Sequence, residues 1–321
     1  MISYIGKRIL ISLPLLLGIT LLSFVIMKAA PGDPVTMFLD PNMGAADIAQ
    51  VRANLGFDKP IIVQYLYWLK SMVKGDFGYS YVTGKPVIKA IVERLPATLL
   101  LSVSSIACIL LIAFPLGLLS GYKKDSFFDK SVTVVSFLGY SLPTFWLGLM
   151  LILVFALTLD MFPTAGFMDP DLMGAGVITK LINILHHLFL PLLTLIIGGI
   201  AGLIRYNRFG IINVLSQDYI TAARARGVTE NRIIFKHAFK NAALPIITLL
   251  GLMLPALVSG SFIVEYIFAW PGMGQLGVAS VFSRDYPILM GTLTISSILI
   301  ILGNLLADMT YAAVDPRIAK H

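Results

Sequence analysis

The sequence predicts an all-α polytopic membrane protein with six transmembrane helices and an extracytoplasmic insertion after the first. Three observations point there. Of its 321 residues 57% are hydrophobic and only 13% charged, about half the charged share of a soluble domain. Long, nearly charge-free apolar stretches recur along the chain, and about eighteen such residues suffice to cross roughly 30 Å of hydrocarbon as a helix. Lysine and arginine are also distributed unevenly over the segments that join these stretches.

The first stretch, Ile9 to Met27, follows Lys7-Arg8 and so has the flank of a signal peptide. It is longer than a usual signal core, and Lys28-Ala29-Ala30-Pro31 offers no A-x-A cleavage site, so residues 1–30 are expected to be a retained first span. Residues 31–96 mix charges with polar turns and hold no spanning run. The VQYLYWL run with Tyr65, Tyr67 and Trp68 suits a helix too short to span, so this segment is expected to be a folded extracytoplasmic element. The remainder, 97–321, is expected to be a five-helix core with spans at about 97–120, 131–159, 187–206, 244–264 and 287–311. A loop rich in Gly, Pro and Asp, 160–186, separates the third and fourth spans.

Orientation follows from the cations. With the N-terminus inside, the inner face carries 14 Lys and Arg against six acids, and the outer parts 10 against 11. Most of the outer cations fall in the long 31–96 segment, where positive charge has little topogenic force. Both termini are therefore expected in the cytoplasm. The net charge of +7 reads as a topology signal, and no nucleic-acid partner is expected.

The spans hold almost no ionisable residue; Arg205 and Asp308 sit near predicted cytoplasmic ends. A proton-coupled carrier needs a titratable stop at membrane depth, so the pattern argues against an ion-coupled secondary transporter, the rival class. It suits a pore driven by an outside energy source. Pro14, Pro115, Pro143, Pro191 and Pro255 lie in or beside spans and can bend them. The spacings Gly117–Gly121 and Gly198–Gly202 allow close helix approach.

Enzyme motifs are missing: the sequence has no HExxH and no G-x-S-x-G. The nearest approach to a phosphate loop, GYSYVTGKP from Gly78 to Pro86, is one residue too long and has Pro86 where Ser or Thr is required. His186 and His187 are adjacent, so on a helix they point about 100° apart and make a poor metal pair. The single cysteine, Cys108, precludes an intrachain disulfide. No catalytic, cofactor-binding or metal-ligating residue is expected in this chain.

Two loops carry the functional signal. Residues 216–243 are polar and basic between two spans. Ser216 is placed to cap a helix from Gln217 to Arg226, presenting Tyr219, Ala222, Ala223 and Arg226 on one side; Thr221 and Arg224 lie on the same helix. Gly227 breaks it, Val228 follows, and Thr229 can cap a second helix with Glu230 in its first turn. There Ile233, Ile234 and Ala238 share one face, and Arg232, Lys236 and Lys240 another. Taken alone, the loop fits an interfacial helix with topogenic cations as well as a docking projection. The second loop is EYIFAWPGMGQLG, 265–277, where Glu265 and Trp270 flank a turn at Pro271, Gly272 and Gly274. Irregular backbone there requires protein or water around it, which suits an outer loop beside a pore mouth.

The stretch around Ala222-Ala223-x3-Gly227 resembles the EAA loop of ABC importer permeases, E-A-A-x3-G-x9-I-x-L-P. Thr221 stands in place of the glutamate, His237 in place of the isoleucine, and Leu244-Pro245 comes five residues late. These departures are typical of the peptide/nickel branch. Further segments are similar to that branch: PGDPV (31–35), LGFDKPIIVQYLYWL (55–69), KGDFGYSYVTGKPV (74–87), LPTFWLGL (142–149), FPTAGF (162–167), EYIFAWPGMGQL (265–276), RDYP (284–287) and VDPR (314–317). In order and nearly end to end, the chain resembles the first permease subunit of the oligopeptide/dipeptide system. That resemblance implies a type I importer permease fold in a bacterial or archaeal plasma membrane, surrounded by lipid. It implies a homologous second permease, two ABC ATPase subunits that bind ATP and Mg, and an extracytoplasmic peptide-binding protein. The 216–243 loop would couple to the ATPases. Nickel or another metal chelate, or glutathione, is the alternative cargo.

Overall fold

In a computed structural model of the chain, residues 2–29, 45–54, 56–234 and 261–314 are described. They are mostly helical, with no β-strand among the described residues beyond one isolated bridge between Tyr79 and Pro86. In chain order α1 is Ile2–Ala29, α2 Ala45–Asn54, α3 Ile61–Val73, α4 Val87–Tyr122, α5 Phe127–Ser141 and α6 Thr144–Leu151. Then come α7, Val177–Leu215, α8, Asp218–Ala225, the turn α9, Glu230–Arg232, α10, Phe262–Ile267, α11, Met273–Phe282, and α12, Tyr286–Val314.

Four helices contain stretches long and apolar enough to cross a membrane: Leu10–Ala29, Val87–Tyr122, Val177–Leu215 and Tyr286–Leu306. α5 and the Thr144–Thr158 segment that begins with α6 are together apolar enough for a further crossing, but they meet at 96°, the geometry of a broken span or a re-entrant loop. The expected uninterrupted span 131–159 is therefore broken. Leu142 is extended at ψ 130° and Pro143 caps α6, because a residue preceding proline is pushed out of the helical region. Beyond α6, Ile152–Thr158 continues as π-helix. The expected span 244–264 lies almost wholly outside the described residues. Pro14, Pro96, Pro115 and Pro191 are accommodated inside helices that run on past them.

The spine is the pair α4 and α7, 36 and 39 residues long. Their lengths exceed the roughly 20 residues that span hydrocarbon, so both project beyond it. Glycine sets how closely they pack. A Cβ on Gly117 would lie 2.8 Å from the Asn207 side chain, and one on Gly121 would lie 2.8 Å from the Ile211 side chain and the Arg208 carbonyl. Asn207 Nδ2 also donates to the Phe114 carbonyl at 2.9 Å. The companion spacing Gly198–Gly202 is not a matching contact: Gly202 has open space beside it.

The main core lies between α4, α6, α7 and α10, with Leu101, Leu147, Leu188, Leu190, Val264 and Trp270 buried together. A smaller cluster joins α1, α3 and α12 through Phe24, Tyr65, Tyr286 and Met290, and Thr20 Oγ1 lies 3.0 Å from the Tyr65 hydroxyl. Large apolar side chains remain exposed along α1 and α5, among them Leu10, Leu22, Val135 and Phe137. That is the surface expected of helices whose solvent is lipid.

Candidate functional site

At one end of the spine α7 turns directly into α8. Ile220, Ala223 and Ile233 are buried together against Leu215 and Val228, so the chain folds back on itself as a compact corner. Gly227 makes the bend at φ +77°, in the left-handed region that costs L-residues dearly. Across the bend Arg224 donates to Glu230 through Nε at 2.8 Å and Nη2 at 3.3 Å.

Three details correct the sequence reading of this corner. Ala223 faces inward and is 7% exposed, so its small size serves packing inside the corner. The outward face holds Tyr219, Thr221, Ala222, Arg224, Arg226, Thr229 and Glu230. The helix starts at Asp218 with Gln217 at the cap, and the Ser216 hydroxyl donates instead to the Asn213 carbonyl at 2.8 Å. Thr229 does precede the next helical turn, but its side chain makes no capping bond. Ala238, Lys236 and Lys240 lie outside the described residues.

At the opposite end Glu265 organises the turn between α10 and α11. Its Oε1 accepts from Thr98 Oγ1 at 3.0 Å, and its Oε2 from the Gly274 and Gln275 amides at 2.6 and 3.2 Å. Thr98 in turn accepts from the Met273 amide at 2.8 Å, and Trp270 Nε1 donates to the Ala97 carbonyl at 2.8 Å. Gly272 is required here because a Cβ would collide with the Glu265 carboxylate and with Thr98. Gly274 is required because a Cβ would lie 2.7 Å from Phe262 Cα. Burial pushes the Glu265 carboxyl above the usual carboxylate range, while the bonds from Thr98 and the two amides oppose it. Both Glu265 and Trp270 are fully buried and Pro271 half-buried. These side chains point into the protein and hold the turn to α4.

Two polar clusters escape the sequence reading. Arg208 on α7 binds the Asp129 carboxylate through Nε at 2.6 Å and Nη2 at 2.7 Å. Asp129, which is itself buried, also accepts from Ser120 on α4 and from the Asp125 amide at 2.9 Å. In sequence both residues read only as topogenic charges, and no local spacing links positions 79 apart. Asp285 binds the Ser80 hydroxyl and the Tyr81 amide, the latter at 3.1 Å, tying the segment before α4 to the start of α12. Burial, with the Asp285 charge and Tyr286 adding to it, pushes the Tyr81 phenol up to about 12. His186 and His187 serve structure: they bond the Met161 and Asn183 carbonyls at 2.8 and 3.0 Å, and His187 Nε2 lies 3.4 Å from Asp169. These contacts hold the loop before α7 onto that helix.

Comparison with known proteins gives the arrangement a context. The family described as "Binding-protein-dependent transport system inner membrane component" matches residues 113–320. A companion N-terminal family of the same transport systems matches residues 1–102. The chain is 49% identical to the oligopeptide transport system permease protein AppB of Bacillus subtilis (strain 168) over 322 residues, covering 99% of both. It is 38% identical over 321 residues to a putative peptide permease protein of Brucella suis biovar 1, again with 99% of each covered. With the dipeptide transport system permease protein DppB of Escherichia coli (strain K12) it shares 35% over 335 residues, with 99% coverage of each.

Proposed function

We propose that this chain, which belongs to the family of binding-protein-dependent transport system inner membrane components, works as a membrane permease subunit of an ABC importer for peptides. The observation that carries the reading is similarity over 99% of the chain to permeases of oligopeptide and dipeptide systems. A family match to residues 113–320 supports it, as do the apolar helices.

In this reading the chain forms half of a six-plus-six helix pathway with a homologous second permease, and residues 31–96 lie outside the membrane. Both termini and the α8 corner lie in the cytoplasm of a bacterial or archaeal cell. Two ABC ATPases bind ATP and Mg and seat the corner's outward face, Tyr219, Thr221, Ala222, Arg224, Arg226 and Glu230. An extracytoplasmic peptide-binding protein delivers cargo to the opposite end, where the Glu265-anchored turn borders the entrance. The corner suits force transmission because α8 follows α7 after only Ser216 and Gln217, and because its buried side chains and the Arg224–Glu230 pair let it move as one piece.

Reconstitution tests the reading. The chain purified alone is expected to hydrolyse no ATP; assembled with its second permease, the ATPases and a loaded binding protein, it should drive ATP-dependent peptide uptake into vesicles. Uptake that needs no ATPase subunit, or a complete assembly that moves nickel and no peptide, would refute it.

A further inference from the structure

A cavity of about 280 Å³ opens between α5 and α7. On α5 its wall combines Phe137 with three hydroxyls, Thr133, Ser136 and Tyr140, spaced three and four residues apart and so on one helix face. Gly202, Arg205 and Arg208 come from α7. The Arg208 charge is answered by Asp129. Arg205 is exposed, with no hydrogen-bond or ion-pair partner among the described residues. A Cβ on Gly202 would meet nothing within 4 Å, so the space beside that guanidinium is open.

Among the described residues the cavity thus holds one uncompensated positive charge. Arginine on a spanning helix is rare, and normally faces a bundle interior or a water-filled space in which it meets a partner. What lies in this space follows from the break between α5 and α6. The hydroxyl stripe runs along α5 toward Leu142 and Pro143, where the helix is interrupted. Non-helical backbone at membrane depth persists only where protein or water satisfies it, never against lipid tails. Arg205 lies three residues, about 4.5 Å of rise, further from the α8 corner than Arg208. The stripe therefore leads from the corner end of the bundle toward the break, with Phe137 beside it.

We infer that Arg205, with the hydroxyls of Thr133, Ser136 and Tyr140, binds the C-terminal carboxylate of a peptide on the inner part of the translocation path. This rests on the peptide-importer reading. The guanidinium offers two parallel N–H donors that match both carboxylate oxygens, and the hydroxyls can donate to the same group. The recognised atoms are ones every unmodified peptide carries, so the site attends to passage without choosing among side chains. That agrees with spans otherwise nearly free of charge.

The complete transporter, reconstituted in vesicles, is tested with a mixture of short alanine peptides as free acids and with the same mixture amidated at the C-terminus. The binding protein is held constant, so its own preference cancels when the acid-to-amide uptake ratio of a variant is divided by that of the wild type. Arg205→Gln is expected to lower that ratio about tenfold, the loss of one charge-assisted contact. Equal slowing of acids and amides would overturn the inference. So would an effect seen only in vesicles containing anionic phospholipid, which would assign Arg205 to a lipid headgroup. If Arg205→Gln fails to assemble, Tyr140→Phe is read the same way: a ratio lowered about threefold supports the site and an unchanged ratio overturns it. A wild-type assembly that imports neither form would overturn the importer reading itself, and this inference with it.

Discussion

Arg208 and Asp129, 79 residues apart in sequence, form a two-pronged ion pair at 2.6 and 2.7 Å that clamps the start of α5 to α7. Asp129 is 3% exposed at its side chain and Arg208 27%. Removing Asp129 leaves the partly exposed Arg208 charge, the Ser120 hydroxyl and the Asp125 amide without their acceptor, at a cost of about 1–3 kcal/mol. Asp129→Leu should therefore markedly lower the thermal unfolding midpoint of the detergent-solubilised chain, whereas Asp129→Leu with Arg208→Met should recover part of it. A double variant as unstable as the single one would show that the pair is not what sets the cost.

The bend at Gly227 sits at φ +77°, and a Cβ there would meet no heavy atom within 4 Å, so a side chain at this position brings backbone strain and no clash. Gly227→Val should cost about 1–2 kcal/mol locally and lower peptide uptake while membrane insertion and ATPase co-purification are measured in parallel. Arg224→Ala removes only an exposed pair, 44% and 45% exposed at its two side chains, a loss of at most about 1 kcal/mol. With Arg224 on the face proposed to meet the ATPases, the substitution should weaken ATPase co-purification while leaving the fold of the isolated chain intact; unchanged retention would remove Arg224 from that contact.

Ala222 and Ala223 should respond differently to the same enlargement. Ala223→Trp overpacks the pocket formed with Leu215, Ile220, Val228 and Ile233, costing about 1–3 kcal/mol and opening the corner to limited proteolysis of the chain alone. Ala222→Trp is outward and should leave the isolated chain intact while weakening ATPase retention in pull-down. If both variants lose only retention, the inward placement of Ala223 is wrong.

The Glu265 carboxyl titrates above its unfolded value because burial outweighs its hydrogen bonds. As pH rises from about 4, the unfolded carboxyl ionises first, the native state then holds the extra proton, and stability falls until Glu265 itself ionises. Glu265→Gln keeps an acceptor for the Gly274 and Gln275 amides and should flatten that fall in a melting series against pH. Glu265→Ala leaves those amides unpaired and should destabilise at every pH, by about 1–3 kcal/mol per amide. Identical pH slopes for wild type and Glu265→Gln would remove the carboxyl from the account.

Orientation is open to direct chemistry. In a Cys108→Ser background, cysteine at the exposed position Asp47 should react with an impermeant maleimide in whole cells. Labelling only after lysis would invert the assignment of the two ends.

Local physics makes much of this legible. Apolar length reveals α1, α4, α7 and α12, and a glycine between two polar helical runs reveals the corner at Gly227. The break at Leu142–Pro143 is hidden because hydropathy runs through it unchanged, although the leucine before a proline is a local sign of it. The inward turn of Ala223 is not encoded locally, since alanine is equally small for a neighbour in its own chain or another's. Glu265 stands out for its place in a glycine-rich loop, but its partner Thr98 is 167 residues away. Such pairings depend on how helices are stacked, which periodicity does not encode.

The glycine contacts between α4 and α7 have a mechanical consequence. With Gly117 seated under Asn207 and Gly121 under Ile211, axial sliding by even one residue would drive side chains into backbone; the two helices mesh like teeth and can only rock together. From the Asn207 contact to Val177 α7 runs about 45 Å, so a tilt of about 5° about that contact shifts the Val177 end by roughly 4 Å. A small push on the corner would thus arrive at the Trp270 end as angular displacement, with the meshed glycines setting the pivot.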